Sequence, residues 1–194
     1  MKINKTCYNK RLIGLLAILF LALTTASAIA STAQEIDKNV DKALQELFAK
    51  SPEARQLAKM AKGILVFPKI YKAGFIVGGQ YGEGALRVNG RSVAYFKSVG
   101  ASYGLQAGVQ SFGYALFFMT DDALKYILNS NGWEIGVGPS IVVVDAGTAK
   151  NITTTTAKKD IYAFIFSQKG LMAGLGLQGT KITPFHPEGS PQHH

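Results

Sequence analysis

The stretch FIVGGQYGEGALRVNGRSVAYFK, residues 75–97, alternates apolar residues with small or polar ones on both sides of Asn89-Gly90. Asn-Gly between two such runs is a strong signal of a β-hairpin, because both residues tolerate the positive φ that a two-residue turn requires. The pattern therefore predicts a strand over residues 75–88 and a partner strand over residues 92–97.

Further strand patterns lie on both sides of this hairpin. They predict strands over residues 64–68, 99–119 (with a bend), 133–144, 161–168 and 171–183. Thr120 is expected to cap a short helix that ends near Asn129, and the threonine-rich residues 146–159 to form a polar loop. We expect a mainly antiparallel, twisted sheet that forms a sandwich or a partial barrel.

Glycine recurs on one face of the predicted strands. This face carries Gly78, Gln80, Gly82 and Gly84 in one strand and Ser98, Gly100, Ser102, Gly104, Gln106, Gly108 and Gln110 in the next. Glycine inside a strand indicates a sharp bend or a close approach by another group. The approaching group could be a helix or an acyl chain, or the sheet could be strongly coiled and pack on its own helices.

Two helices are predicted before the sheet. Residues 34–50 place an apolar stripe at helical spacing, made of Ile36, Val40, Leu44, Leu47 and Phe48. Ser51-Pro52-Glu53 then restarts a helix, with serine as N-cap and proline at the first helical position, and this helix is expected to reach about Lys62. Helices followed by strands predict an α+β fold with the N-terminal helices packed on the sheet.

Residues 1–30 have the order of features that is typical of a signal peptide. A basic segment precedes the apolar residues 12–23, and two A-x-A sites follow within residues 26–30. An uncleaved N-terminal anchor is the alternative. Cys7, the single cysteine, would leave with the signal peptide, so no disulfide is expected in the mature chain. We predict an exported domain over residues 31–185 and a disordered tail over residues 186–194.

The charge balance favours an anionic partner. The chain has 21 basic and 12 acidic residues, a net charge of +9. Four of the basic residues and none of the acidic ones fall in the signal peptide, which leaves 17 against 12, a net charge of +5. This value mildly favours a phospholipid surface. No arginine-rich or aromatic-interleaved basic motif is present, so nucleic acid is not expected as a partner.

Several sequence blocks together resemble the SYLF-domain family. They are AKGILVFP at 61–68, KAGFIVGG at 72–79, GEG at 82–84, SYGLQAG at 102–108, FMT at 118–120, GW at 132–133, FSQKGLM at 166–172 and GTKIT at 179–183. The resemblance covers roughly residues 35–184 and implies lipid binding. Eukaryotic relatives bind phosphoinositides, partly through an N-terminal amphipathic helix, and some bundle actin. Bacterial relatives are exported, often as lipoproteins, whereas this chain has no lipobox cysteine.

Two groups of residues are candidates for a lipid-facing surface. The first consists of basic residues, with Arg55, Lys59 and Lys62 at helical spacing on one face and Lys69 and Lys72 shortly after them, beside Tyr71. The alternative is an ordinary solvated helix face. The second group is the apolar stripe of the first helix, for which packing against the domain's own sheet is the stronger alternative.

Other functional classes have weaker signals. Residues 100–104, GASYG, fit the G-x-S-x-G motif, but they lie in a strand pattern, and the three histidines all fall at positions 186, 193 and 194. The residues also contain no phosphate-binding loop and no metal-ligand set, so no cofactor is expected. We therefore expect a non-enzymatic phospholipid-binding protein at the periplasmic face of a bacterial membrane. A small outer-membrane β-barrel and a protein-interaction or scaffold module are the alternatives.

Overall fold

The computed structural model describes residues 31–144, 159–169, 177 and 179–190, all within one compact unit, Ser31–His194. The predicted signal peptide with Cys7, nearly all of the predicted polar loop and His193 and His194 lie outside the described residues.

Two N-terminal helices begin where the capping residues predict. Helix α1 is Ala33–Lys50, and its capping box joins the Glu35 N–H to Thr32 Oγ1 at 3.2 Å and the Thr32 N–H to Glu35 Oε2 at 3.3 Å. Helix α2 is Pro52–Ala58, and Ser51 Oγ accepts the N–H of Ala54 at 3.1 Å.

The sheet is built on one hairpin of two long strands. Strand β1 is Gly63–Val88 and strand β2 is Arg91–Phe118. They pair antiparallel from Val88–Arg91 to Gly63–Phe118. Asn89 and Gly90 have φ of 51° and 77°, as the Asn-Gly signal predicts. The separate strands predicted over 64–68 and 75–88 are one strand, because pairing with β2 resumes beyond the irregularities near Pro68 and Phe75.

Four shorter strands complete the described sheet, and one further helix precedes them in the chain. Helix α3 is Asp121–Asn129, and the strands are β3 Trp133–Glu134, β4 Ile141–Val144, β5 Ile161–Lys169 and β6 Lys181–Phe185. Strands β5 and β6 both pair antiparallel with β2, one after the other along the edge that β1 leaves open. Strand β3 pairs antiparallel with β6, and β4 pairs parallel with β5.

The hairpin curls until the two halves of β1 touch each other. A Cβ on Gly82 would lie 2.5 Å from the Lys69 carbonyl oxygen, and a Cβ on Gly84 would overlap the carbonyl oxygen of Val66. At these two glycines the approaching group is therefore the backbone of the same strand, and not a helix or an acyl chain. This is the strongly coiled sheet of the second alternative, except that the sheet packs here on itself.

The curl divides the apolar side chains into two clusters. The inner cluster lies within the curled sheet and includes Phe67, Leu86, Phe96, Tyr114 and Trp133, each at most 1% exposed. The outer cluster lies between helices α1 and α2 and the outside of the sheet. The predicted α+β class, with N-terminal helices packed on a mainly antiparallel, curled sheet, is confirmed.

Residues 186–190 belong to the tail for which the sequence predicts disorder, yet they make defined contacts. The Ala33 N–H donates to the Glu188 carbonyl oxygen at 2.9 Å, and Pro187 is buried. An otherwise unpaired N–H in the first turn of α1 thus finds its acceptor in this segment.

Candidate functional site

The predicted row of three basic residues on one helical face does not form. Helix α2 ends at Ala58, and the Lys62 N–H donates to the Phe118 carbonyl oxygen at 2.8 Å. This bond joins the chain to the end of β2, so Lys62 lies outside the helix. Lys62 Nζ is 3.8 Å from Asp121 Oδ2, which partly compensates its charge.

The other predicted basic residues have different surroundings. Arg55 Nη2 donates to the Phe48 carbonyl oxygen at 2.8 Å, and Lys59 is exposed at the C-cap of α2. Lys69 Nζ lies 4.6 Å from the centre of the Tyr71 ring, a cation–π contact at the surface. Lys72 is half-buried, and the two-residue period of β1 places it on the opposite face from Tyr71. The five predicted cations therefore do not share one surface.

The apolar stripe of α1 packs on the protein's own sheet. Ile36, Val40 and Leu47 are at most 3% exposed, and Leu44 and Phe48 pack against the same outer cluster. The helix is amphipathic as predicted, but its apolar face is covered by β1, β2 and β5. In this conformation the stripe is not available to a membrane.

Two lysines that the sequence reasoning missed join Lys69 on one face of the sheet. Tyr71 pairs with Ser111 in β2, and Ser111 pairs with Lys169 in β5. Residues paired directly across strands point to the same face, with Cβ atoms about 5 Å apart. A second row runs from Tyr81 through Val99 to Lys181, across β1, β2 and β6.

We call this surface the outer hairpin face. It is defined by the residues that face outward from the middle of the hairpin and from the strand ends beside it: Lys69, Tyr71, Ala73, Gly79, Tyr81, Val99, Ala101, Val109, Ser111, Lys169 and Lys181. Its lysines are far apart in the chain and come together only through strand register. A local sequence pattern carries no signal for such a row.

The charge of the outer hairpin face is positive. Lys69, Lys169 and Lys181 are exposed, and the ion pairs among the described residues involve only Lys62 and Arg87 as cations. Glu83 lies at the border of this face and accepts the Tyr81 hydroxyl at 2.5 Å. Partial burial and the Glu83 carboxylate raise the pKa of Tyr81 well above its usual value, so the hydroxyl stays protonated and donates to Glu83.

A second acid and a fourth lysine stand at the same border. Glu134 pairs with Lys181 in the sheet register, and Lys97 pairs with Glu83. Lys97 Nζ lies 4.6 Å from the centre of the Phe185 ring. The face and its border thus carry more lysine than glutamate, which suits an anionic partner.

The G-x-S-x-G motif does not form a nucleophile elbow. Residues 100–104 lie inside β2, and their backbone is extended and paired with β1. The elbow needs a sharp turn from a strand into a helix, which this segment does not have. Within the described part of the chain, no group of three histidine, cysteine or acidic residues is arranged to hold a metal ion.

None of the helices that the structure describes is both long and apolar enough to cross a bilayer.

The comparison with known families agrees with the resemblance. Residues 99–188 match the family model Ysc84, described as "Las17-binding protein actin regulator". No curated protein matches the chain. The matched range begins at Val99, in the second row of the outer hairpin face, and contains Lys169 and Lys181. Residues 99–188, a little under half of the chain, are therefore similar to the Ysc84 (SYLF) domain family.

Proposed function

We propose that this chain is a non-enzymatic phospholipid-binding protein that associates with an anionic membrane surface, at the periplasmic face of a bacterial membrane. The observation that carries the proposal is a set of three exposed lysines, Lys69, Lys169 and Lys181, on the outward face of the sheet. None of the three forms an ion pair with another described residue. The signal-peptide pattern of residues 1–30 supports the proposed location.

The expected affinity is modest. A lysine close to an anionic leaflet contributes about 1 kcal/mol, so three lysines contribute about 3 kcal/mol in total. Attraction of this size gives weak, reversible association. Added salt weakens it, because the screening length of the solution is about 10 Å at 0.1 M ionic strength. Lys59 adds a further exposed charge at the end of α2.

A protein-interaction module is the second candidate function. It is favoured by the description of the matched family as an actin regulator that binds Las17. If the protein binds no vesicle of any composition but does bind a protein filament, this second candidate is established instead.

Removing the three lysine charges of the outer hairpin face should weaken vesicle binding at least tenfold. The variant is Lys69→Gln, Lys169→Gln, Lys181→Gln, which avoids introducing carboxylates beside Glu83 and Glu134. Three charges at about 1 kcal/mol each account for a loss of this size. The measurement is co-sedimentation with phosphatidylglycerol vesicles at low and high salt, with phosphatidylcholine vesicles as the neutral reference.

The matched control removes the same number of charges elsewhere. Lys38 and Lys42 on α1 and Lys125 on α3 are exposed, so Lys38→Gln, Lys42→Gln, Lys125→Gln has the same net charge as the first variant. We expect it to bind nearly as the unchanged chain does. Equal weakening by both variants would show that net charge alone drives binding and that the outer hairpin face has no special role.

A further inference from the structure

The outer hairpin face is apolar where solvent reaches it. Val109 is 72% exposed, Tyr71 53%, Val99 46% and Tyr81 44%. Antiparallel sheets with one face in water normally place polar residues on that face. Here most residues of the outer hairpin face are valine, alanine, glycine or tyrosine. An exposed apolar surface of this kind marks a site that a partner covers.

Strand register places the exposed side chains in adjacent pairs. Ala73 pairs with Val109, and Tyr81 pairs with Val99. Gly79 and Ala101 form a further exposed pair between them. An irregularity at Gly74–Ile76 interrupts the ladder, yet odd-numbered residues are exposed on both sides of it.

The helices leave this part of the sheet open. In the outer cluster, α1 and α2 pack on residues near the two ends of the hairpin, namely Val66, Ala85, Tyr95, Ala115 and Phe117. Val99 and Val109 lie between those ends and belong to neither cluster of the described residues. Among the described side chains, the uncovered apolar ones therefore lie between the helix-covered ends of the hairpin.

Lysines border the apolar residues on several sides. Lys181 lies beside Val99, Lys169 follows Ser111 in the Tyr71 row, and Lys69 rests on the Tyr71 ring. Protein–protein interfaces are depleted in lysine, whereas a bilayer surface accommodates apolar side chains, tyrosine rings and lysine ends at successive depths. Lysine stems can lie along apolar surface while the ammonium group reaches the lipid phosphates.

We propose that the outer hairpin face docks on an anionic leaflet, with Val99 and Val109 inserted below the headgroups and Tyr71 and Tyr81 at headgroup level. The lysines around them contact the phosphates. This inference rests on the proposed phospholipid binding. It adds which surface enters the bilayer, and it adds that insertion of apolar side chains holds the protein there together with charge attraction. The α1 stripe, which is buried in the outer cluster, has no part in it.

A tryptophan reporter at position 109 tests the insertion. The native Trp133 is 1% exposed and gives a constant background, so a new tryptophan at an exposed site reports its own surroundings. We expect the emission of Val109→Trp to shift to shorter wavelength with phosphatidylglycerol vesicles and to be quenched by lipids with brominated acyl chains. The matched control is Val143→Trp, because Val143 is also exposed, at 43%, but lies on β4. It should show neither change.

A second variant separates this inference from the proposed function. Val99→Ser, Val109→Ser keeps every lysine and alters only exposed side chains, and we expect about tenfold weaker binding to phosphatidylglycerol vesicles from the lost apolar burial. Binding by the unchanged chain together with unaltered binding by the double variant would overturn the insertion but leave phospholipid binding intact. No binding by the unchanged chain would overturn both.

Two further outcomes would also contradict the inference. A shift of the Val109→Trp emission that grows with protein concentration in the absence of vesicles would identify a second copy of the chain as the occupant. A shift of the Val143→Trp emission equal to that of Val109→Trp would place the membrane contact elsewhere. Far-ultraviolet circular dichroism and a cooperative thermal unfolding transition check that each variant is folded.

Discussion

Gly84→Ala should lower the free energy of unfolding by about 3 kcal/mol, because the new methyl group has no room where the two halves of β1 meet. It would overlap the carbonyl oxygen of Val66 and lie 2.8 Å from Phe67 Cδ1. Neither neighbour can yield easily, since Val66 O belongs to a strand backbone and Phe67 is fully buried against Tyr114, with ring centres 4.7 Å apart. The curl must open to accept the substitution.

The matched control is the same substitution five residues earlier in β1. Gly79 is exposed, and the nearest atom to a Cβ there is the Gly100 carbonyl oxygen at 3.9 Å, an ordinary contact. Gly79→Ala should leave the free energy of unfolding unchanged or raise it by about 0.5 kcal/mol, because alanine lowers the conformational entropy of the unfolded chain.

Thermal and urea unfolding measure the stability of both variants. A loss of about 3 kcal/mol corresponds to a fall in the midpoint temperature of roughly 6–12 °C for a domain of this size. If Gly84→Ala is as stable as Gly79→Ala, the two halves of β1 are not in contact and the curled sheet is wrong.

Arg87→Met should cost about 2 kcal/mol of stability, because Arg87 ties helix α1 to the end of the hairpin. Its Nη2 donates to Asp41 Oδ1 at 2.6 Å and to the Asp37 carbonyl oxygen at 3.1 Å. The Arg87 side chain is only 12% exposed, which makes these charge-assisted bonds stronger than those of a solvated pair. Methionine keeps the apolar stem and removes the guanidinium.

Asp37 is the centre of the contact. Its carboxylate also accepts hydrogen bonds from Ser92 Oγ at 2.6 Å and from the Tyr95 hydroxyl at 3.2 Å. Partial burial and the Asp37 charge raise the pKa of Tyr95 above its usual value, so the tyrosine keeps the proton that it donates. Loss of Arg87 leaves these two donors in place but removes the only cation that the structure describes within 4 Å of Asp37.

Lys62→Met is the control for Arg87→Met. It breaks the 3.8 Å pair with Asp121, in which both side chains are about half exposed or more. Such surface pairs contribute little, so the expected change is below about 0.5 kcal/mol. Urea unfolding gives the two free energies, and amide hydrogen exchange should show faster exchange of α1 in the Arg87 variant alone. Equal stability of both variants would show that Arg87 does not anchor the helix.

Features that depend on nearby residues were predictable. Thr32 and Glu35 form the capping box of α1, and Asn89-Gly90 forms the turn. Ser51 and Pro52 begin α2. Each involves residues within one turn of backbone, where steric preference and a single hydrogen bond decide the conformation.

Predictions that needed distant contacts were incomplete. Helix α2 was expected to reach Lys62, but the bond from the Lys62 N–H to Phe118 draws that residue toward the sheet. The glycine face correctly indicated a close approach, yet nothing in the local pattern showed that the approaching group at Gly84 is Val66 of the same strand. The predicted basic surface likewise assumed that neighbours in sequence share a face, which Lys69 and Lys72 do not.

By itself the sequence determined the elements of this protein: two capped helices, an Asn-Gly hairpin and strands with one glycine-rich face. It did so because caps, turns and side-chain periods act over a few residues. Only the tertiary structure decided which side chains form a surface. Packing against the outside of the curled sheet buries the apolar stripe of α1, and the register of β2 with β5 and β6 brings Lys169 and Lys181 into line with Tyr71 and Tyr81. Curl and register depend on contacts between residues far apart in the chain, and these form only when the whole sheet assembles.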